Sequence, residues 1–566
     1  MTKRARSLCG YTYRLGVPRA ALPVVCVAVL AVLLGTNIVE AGPYDAIGLT
    51  SLQQRLGSNM PTGAGITATQ VEAPDNKNDY IADQLDAQLD STTITDIFDL
   101  DGDPSGVSTH ATNVAKRFFG TQGVSPGVAE VDAYDANYWI NSGFLNTSTS
   151  GVPLEELRDI QNHSWIGNFY EEGEPVTPES IESATDLSRR MDLVIVRDNV
   201  VSVAGLNNGP QTAFPQILGN AYNTISVGRT DGQHSLGPTL IDTAGRVKPD
   251  IVAPSGFTSF ATPWVSGAAA LLLETADDDD DDARSSETIK ALLMAGATKD
   301  EFDSWSRTDT RPLDAIYGAG ELNIDNSHRI LTAGQFDAAI DAVLGSTGWD
   351  FGQITNNTNP SYFFEIPTGH VADVSILTTW HRQVVQNGSQ LTVSLANLDL
   401  EFSSADGFVA TTLLDESRST VDNVEHVYQQ DLGVGRYVFS LDSDSSVDYA
   451  VAWQSTLRAL VPGDANADFV VNENDLAILF QNWEGDALFE HGDFDFNGLV
   501  DAADLALLLA NWGRTGTLAV SLPPAGDPAV GVQLSVSAVP EPTSATLIAI
   551  LGLLFPSLIA QRGRRR

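Results

Sequence analysis

The segment Gly245-Arg246-Val247-Lys248-Pro249-Asp250-Ile251-Val252-Ala253-Pro254 is followed closely by Phe257-Thr258-Ser259-Phe260-Ala261-Thr262-Pro263-Trp264-Val265-Ser266-Gly267. Ala268-Ala269-Ala270-Leu271-Leu272-Leu273 comes directly after. These residues read as a buried strand, a polar turn and an apolar helix. Ser259 falls at the turn, where the helix begins. A hydroxyl there faces the positive end of the helix dipole and N–H groups that have no partner within the helix. Such donors suit the oxyanion that forms when a serine attacks an amide.

The whole stretch resembles the nucleophile segment of the subtilisin-like serine peptidases. It departs from that pattern at Phe257, where a glycine is usual, and in the short loop between Pro254 and Ser259. The resemblance implies Ser259 as nucleophile and the chain order acid, histidine, serine. The histidine element is Ser108-Thr109-His110-Ala111-Thr112-Asn113-Val114-Ala115. His110 aligns with the base, which would take the Ser259 proton and return it to the leaving amine. The acid element is Gly65-Ile66-Thr67-Ala68-Thr69-Gln70-Val71-Glu72, a strand that ends in Glu72 where the family has aspartate. Glutamate can orient a histidine through the same carboxylate bond. Its extra methylene requires the backbone to stand back by about 1.5 Å. Asp75 is the second candidate for this role.

Val200-Val201-Ser202-Val203-Ala204-Gly205-Leu206-Asn207-Asn208-Gly209 resembles the family strand that ends in an oxyanion-binding asparagine, with Leu206 as one extra residue. Asn207 is the implied donor. Asn162-His163-Ser164-Trp165-Ile166-Gly167 resembles the substrate-binding strand, with Ser164, Trp165 and Gly167 placed to meet an extended peptide by strand addition. Strands alternating with helices imply a parallel sheet covered on both faces. Such sheets bind ligands at the carboxyl ends of their strands. Glu72 and Asn207 are read as strand ends, and His110 and Ser259 as helix starts, so one site can hold all four.

The chain has 566 residues and a formal charge of −42. That charge argues against nucleic acid as a partner and suits a soluble extracellular protein with oxygen-ligated calcium. Lys3, Arg4, Arg6, Arg14 and Arg19 precede an apolar run from Ala20 to Gly35 and a small-residue site at Val39-Glu40-Ala41-Gly42. This reads as a secretory signal peptide over 1–41, with a retained membrane anchor as the alternative. The two cysteines, Cys9 and Cys26, both lie in that segment, so the exported chain would have no disulfide and no cysteine nucleophile.

A doubly wound α/β peptidase-like region is expected over 42–335, and an antiparallel β-sandwich over 345–459. In the latter, short segments rich in β-branched and aromatic residues are punctuated by Asn, Asp and Gly. The sandwich resembles the jelly-roll modules appended to secreted bacterial peptidases. Residues 463–513 hold a repeat of about twenty-nine residues. Asp464, Asn466, Asp468, Asn472 and Asp475 match Asp493, Asp495, Asn497, Asp501 and Asp504, with the Val470 and Leu499 carbonyls between them. These are the oxygen positions of a calcium loop. Each loop leads into a Leu-rich helix that ends in Asn-Trp. The unit, 462–514, resembles a type I dockerin, a small α-helical calcium-binding module, and the resemblance implies Ca²⁺ and a cohesin-like partner. Phe469 stands in the first loop where glycine eases the turn.

After a linker at 515–538, residues 539–566 run from Val539-Pro540-Glu541-Pro542 through an apolar stretch to Arg562, Arg564, Arg565 and Arg566. They resemble the PEP-CTERM sorting signal. That implies an exosortase-type processing enzyme and an extracellular or surface location; a plain C-terminal membrane anchor is the alternative. Two readings of the whole follow. One is a secreted or surface-attached serine endopeptidase acting on protein or peptide substrates. The other is a catalytically degenerate subtilisin-like fold that serves as a calcium-dependent binding or scaffold protein.

Overall fold

In the computed structural model the described residues are 42–515, except 98–105, 150, 168–176, 211–216, 277–279, 356–357, 389 and 486–487. The segments 1–41 and 539–566, expected to be a signal peptide and a sorting signal, lie outside them. Seven strands form one sheet: β1 (Thr67–Glu72), β2 (Thr93–Ile97), β3 (Glu130–Asp135), β4 (Ile160–His163), β5 (Val201–Gly205), β6 (Ile225–Arg229) and β7 (Ile251–Ala253). Their order is β2-β3-β1-β4-β5-β6-β7, and every neighbouring pair is parallel. This is the expected doubly wound sheet. The strand order reverses at β1, between β3 and β4, which opens a crevice at the carboxyl ends of those strands.

Helices cover both faces, so β5 is buried along its whole length. Val203 packs with the helix Thr258–Thr275, while its neighbour Ala204 packs with Leu187 and Met191 of the helix Pro178–Asp198. Gly205 ends the strand against the first helix. A Cβ there would lie 2.7 Å from Thr262 Oγ1, so only glycine lets strand and helix approach this closely.

Ten more strands follow: β8 (Gly348–Ile354), β9 (Ser361–Ile366), β10 (His370–Thr379), β11 (Gln383–Asn387), β12 (Gln390–Ser394), β13 (Leu398–Asp406), β14 (Val409–Ser417), β15 (Val424–Leu432), β16 (Gly435–Ser443) and β17 (Val447–Ala459). They form antiparallel sheets β15-β10-β17-β8 and β14-β13-β16-β9, plus the hairpin β11-β12. Aromatic side chains, among them Tyr362, Trp380, Phe402, Phe439 and Trp453, fill the space between the sheets.

This sandwich is not a separate bead. Leu377, Val424, Ala450 and Ala452 join the same apolar cluster as Leu292 and Met294 of the helix Ser286–Ala295 and the sheet residues Ala68 and Ile251. Polar contacts reinforce the seam. Arg382 Nε donates to Asp192 Oδ2 at 2.9 Å and the same guanidinium also pairs with Asp242. Val247 N donates to Asp422 Oδ1 at 2.9 Å.

Two helices, Glu473–Gln481 and Ala502–Ala510, close the described chain. Their apolar residues share a cluster with Val371 of the sandwich. Among the described residues, no helix is long and apolar enough to cross a membrane.

Candidate active site

Glu72 is the last residue of β1, at the crevice, and is 1% exposed. His110 is the second residue of the helix Thr109–Phe118, whose first turn is capped by Ser108 accepting from Ala111 N. His110 Nδ1 lies 2.8 Å from Glu72 Oε2. The other carboxylate oxygen, Oε1, accepts from Gln70 Nε2 at 3.0 Å, and the same amide donates to the Ala111 carbonyl at 3.0 Å. Gln70 and Glu72 share a face because strand side chains alternate. Gln70 thus ties the acid strand to the histidine helix.

Burial pushes the Glu72 carboxyl up, and its bonds from His110 and Gln70 only partly offset this. Burial alone would push His110 down, but the bond to Glu72 and its charge outweigh that and leave the imidazole above its ordinary value, with Arg117 opposing. The buried acid therefore favours the protonated imidazole, which is the state required after a proton is taken from a nucleophile.

Ser259 is the second residue of the helix Thr258–Thr275; in its turn Phe260 N and Ala261 N donate to the Phe257 carbonyl at 3.0 and 3.1 Å, which leaves the Ser259 N–H without a partner among the described residues. Pro263 lacks the N–H that would otherwise reach the Ser259 carbonyl. His110 and Ser259 line one cleft of about 240 Å³, together with Ala73, Ser164, Trp165, Ile166, Gly205, Asn208 and Thr258. The two do not share a hydrogen bond here. Such bonds are often long in ligand-free sites and tighten with substrate.

Residues 65–320 match the family model described as the subtilase family. The α/β part of the chain thus carries a subtilase-like domain. Solved structures similar to the chain include the patellamide maturation protease PatA, at 21% identity over 48% of this chain and 97% of that one, with a TM-score of 0.33. A protease from Pseudoalteromonas arctica PAMC 21717 is similar at 14% identity over 50% of this chain and 94% of that one, with a TM-score of 0.35. A serine protease of Aeromonas sobria is similar at 13% identity over 70% of this chain and 89% of that one, with a TM-score of 0.32. No curated protein matches the chain.

In the subtilase-like domain the expected residues Glu72, His110, Ser259, Ser164 and Trp165 come together. Gly167 does not line the cleft; its carbonyl accepts from Ile217 N at 3.0 Å. Asp75 is exposed and accepts from Lys77 N and Asp79 N in a local turn, so it is not the orienting acid. His163 is buried beside Trp139 and Trp165, and burial pushes its imidazole down to about 3.

The asparagine expectation needs correcting by one position. Leu206 extends the strand, with its N–H donating to Val227 O at 3.0 Å and its side chain buried. The Asn207 carbonyl then accepts from Ser235 N. Asn208, not Asn207, reaches the cleft, and its Oδ1 accepts from Thr258 N at 2.9 Å. Gln70 was not singled out by sequence. Its signal is a large amide in a strand that, apart from Glu72, is small or apolar.

Proposed function

We propose that this protein is an exported serine endopeptidase. Ser259 Oγ attacks the carbonyl carbon of the scissile bond while His110 Nε2 takes its proton. The C–N bond then breaks as His110 returns that proton to the leaving amine, and water releases the acyl group by the same route in reverse. Glu72 holds the imidazole in register, and Gln70 holds Glu72. The Ser259 N–H and the Asn208 amide are the oxyanion donors, because the Asn208 carbonyl end is fixed on Thr258 N. The observation that carries this reading is the 2.8 Å bond from buried Glu72 to a histidine that opens onto the same cleft as Ser259. Incubating the purified protein with an unfolded protein substrate should yield peptides, and Ser259→Ala should not. The scaffold reading draws on the missing Ser259–His110 bond, and an inert wild-type protein in this assay would favour it.

The repeat supports calcium binding, and its residues fit the ion. Asp464 Oδ1 is buried without a hydrogen-bond partner. Carboxylate oxygens of Asp493, Asp495 and Asp504 lie within 4.8 Å of one another. The two loops are wired alike. Asp475 accepts from Ala465, Asn466 and Asn472 N–H groups, and Asp504 from those of Phe494, Asp495 and Asp501. Ca²⁺ would be held by Asp464, Asn466, Asp468, Asn472 and Asp475 with the Val470 carbonyl, and by Asp493, Asp495, Asn497, Asp501 and Asp504 with that of Leu499. It would neutralise these clustered carboxylates and fix the two helices. Phe469 sits at φ 65° in the first loop where Gly498 has φ 89° in the second, so the first loop is the more strained and the weaker binder. Calorimetric titration with calcium should show two unequal sites. A cohesin-like partner and exosortase processing follow from the resemblances of the repeat and of 539–566.

A further inference from the structure

The nucleophile has two flanks of different character. On one, Ser164, Trp165 and Ile166 line the cleft with His110 and Ser259. On the other, Phe260 lays its ring along the His110 imidazole, with centroids 5.7 Å apart and planes at 24°. Phe257 meets Phe260 edge-on at 5.7 Å and 86°. Neither phenylalanine lines the cleft. The Arg117 guanidinium lies 4.0 Å from the Phe260 ring centroid and is held by the Asn113 carbonyl at 2.8 Å.

Phe257 is 54% exposed. An isolated exposed apolar residue needs no explanation. This one caps the nucleophile helix and continues a row of rings that ends on the base itself.

The chemistry says what meets that row. His110 returns its proton to the leaving amine, so the residue carrying that amine must lie on the His110 side of Ser259. The acyl half of the substrate takes the strand-lined cleft. We infer that Phe257 and Phe260 form a ledge for the side chain of the residue directly after the scissile bond, and that the site selects apolar residues, aromatic or long aliphatic, at that position. This rests on the endopeptidase reading. Aromatic rings gain from offset or edge contacts with further rings, and aliphatic chains gain from covering them. Arg117 behind Phe260 disfavours a lysine or arginine there by like charge.

The test has two arms. In the first, a diverse peptide mixture is digested and the cut sites are mapped by mass spectrometry. Wild type should favour Phe, Tyr, Leu or Met after the cut over Ser or Gly by about tenfold, the effect of covering part of an exposed ring. Phe257→Gly should lose that preference, and Phe257→Leu should keep part of it. An unbiased residue after the cut in wild type, or an unchanged bias in Phe257→Gly, would overturn the inference. In the second arm, Ser259→Ala protein is titrated with the leaving-side products Phe-Ala-amide and Ser-Ala-amide. The first should bind more tightly, and a Ser259→Ala, Phe257→Gly double variant should bind both alike. If nothing is cleaved, the endopeptidase reading fails. The binding arm still decides the ledge, since equal affinity for the two amides in Ser259→Ala would sink it.

Discussion

Two histidines in this molecule hold the same kind of partner. His110 Nδ1 lies 2.8 Å from Glu72 Oε2, and His381 Nδ1 lies 2.8 Å from Glu287 Oε1. By hydrogen bonds alone the second set is the more complete, because Ser286 Oγ is 3.3 Å from His381 Nε2 while Ser259 makes no bond to His110. Their surroundings separate them. The His110 side chain is 42% exposed and that of His381 6%. Ser286 sits in the seam between the sandwich and the subtilase-like domain, and its N–H is spent on Asn199 Oδ1 at 2.8 Å. Ser259 keeps its own N–H unspent, with an asparagine beside it and a cleft in front. A serine–histidine–acid set is therefore an active site only where substrate can enter and an oxyanion can be met.

The two acids also differ. Burial raises both, but Glu287 receives the His381 charge and hydrogen bond, a backbone N–H and the Ser286 hydroxyl, and ends below its ordinary value. Glu72 has fewer donors and ends above it.

Variants can break this parallel. The largest difference is expected between Ser259→Ala and Ser286→Ala. The first should lower turnover of a peptide substrate by roughly 10⁴-fold or more, and the second should leave turnover near wild type. The acids come next. Glu72→Gln should cost roughly 10⁴-fold in kcat with little change in melting temperature. Glu287→Gln should cost about 3 kcal/mol in urea unfolding, because it leaves a buried histidine without its partner.

Asn208→Ala should lower kcat about a hundred- to a thousandfold through the lost oxyanion donor, whereas Asn207→Ala should not. Gln70→Leu, which removes a hydrogen bond to a charged group, should cost about ten- to a hundredfold.

The smallest effect is in pH. The base works as neutral imidazole, and its folded value is raised, so kcat/KM should climb with pH through a midpoint above the ordinary histidine value of 6.5. Stability at the seam should also rise with pH, but in a lower range. Glu287 is depressed, so its contribution is present above the unfolded value of 4.5 and is lost as pH falls through the lower folded one. A stopped-flow pH profile and acid unfolding curves check the two signs.

Much of this was legible in the chain. Ser259, His110 and Glu72 sit inside local patterns whose neighbours fix strand ends and helix starts, so their meeting followed from a doubly wound sheet. The oxyanion residue was misplaced because one inserted residue, Leu206, shifts the strand end, and only the observed pairing with Val227 shows which asparagine turns inward. The sandwich strands were legible as antiparallel, but their fusion to the subtilase-like core was not. The signal lay in β10, His370-Val371-Ala372-Asp373-Val374-Ser375-Ile376-Leu377-Thr378-Thr379, which is buried on nearly every residue. Edge strand β14 is exposed along most of its length. A strand without alternation is covered on both faces, and here the second cover is the helix Ser286–Ala295 and its neighbours.

Which serine is activated is read from the mass of the adduct formed with a fluorophosphonate, mapped to a single serine in the folded protein. Modification is expected at Ser259, slowed in His110→Ala and absent at Ser286. Modification at neither serine, or at Ser286 alone, would contradict that expectation.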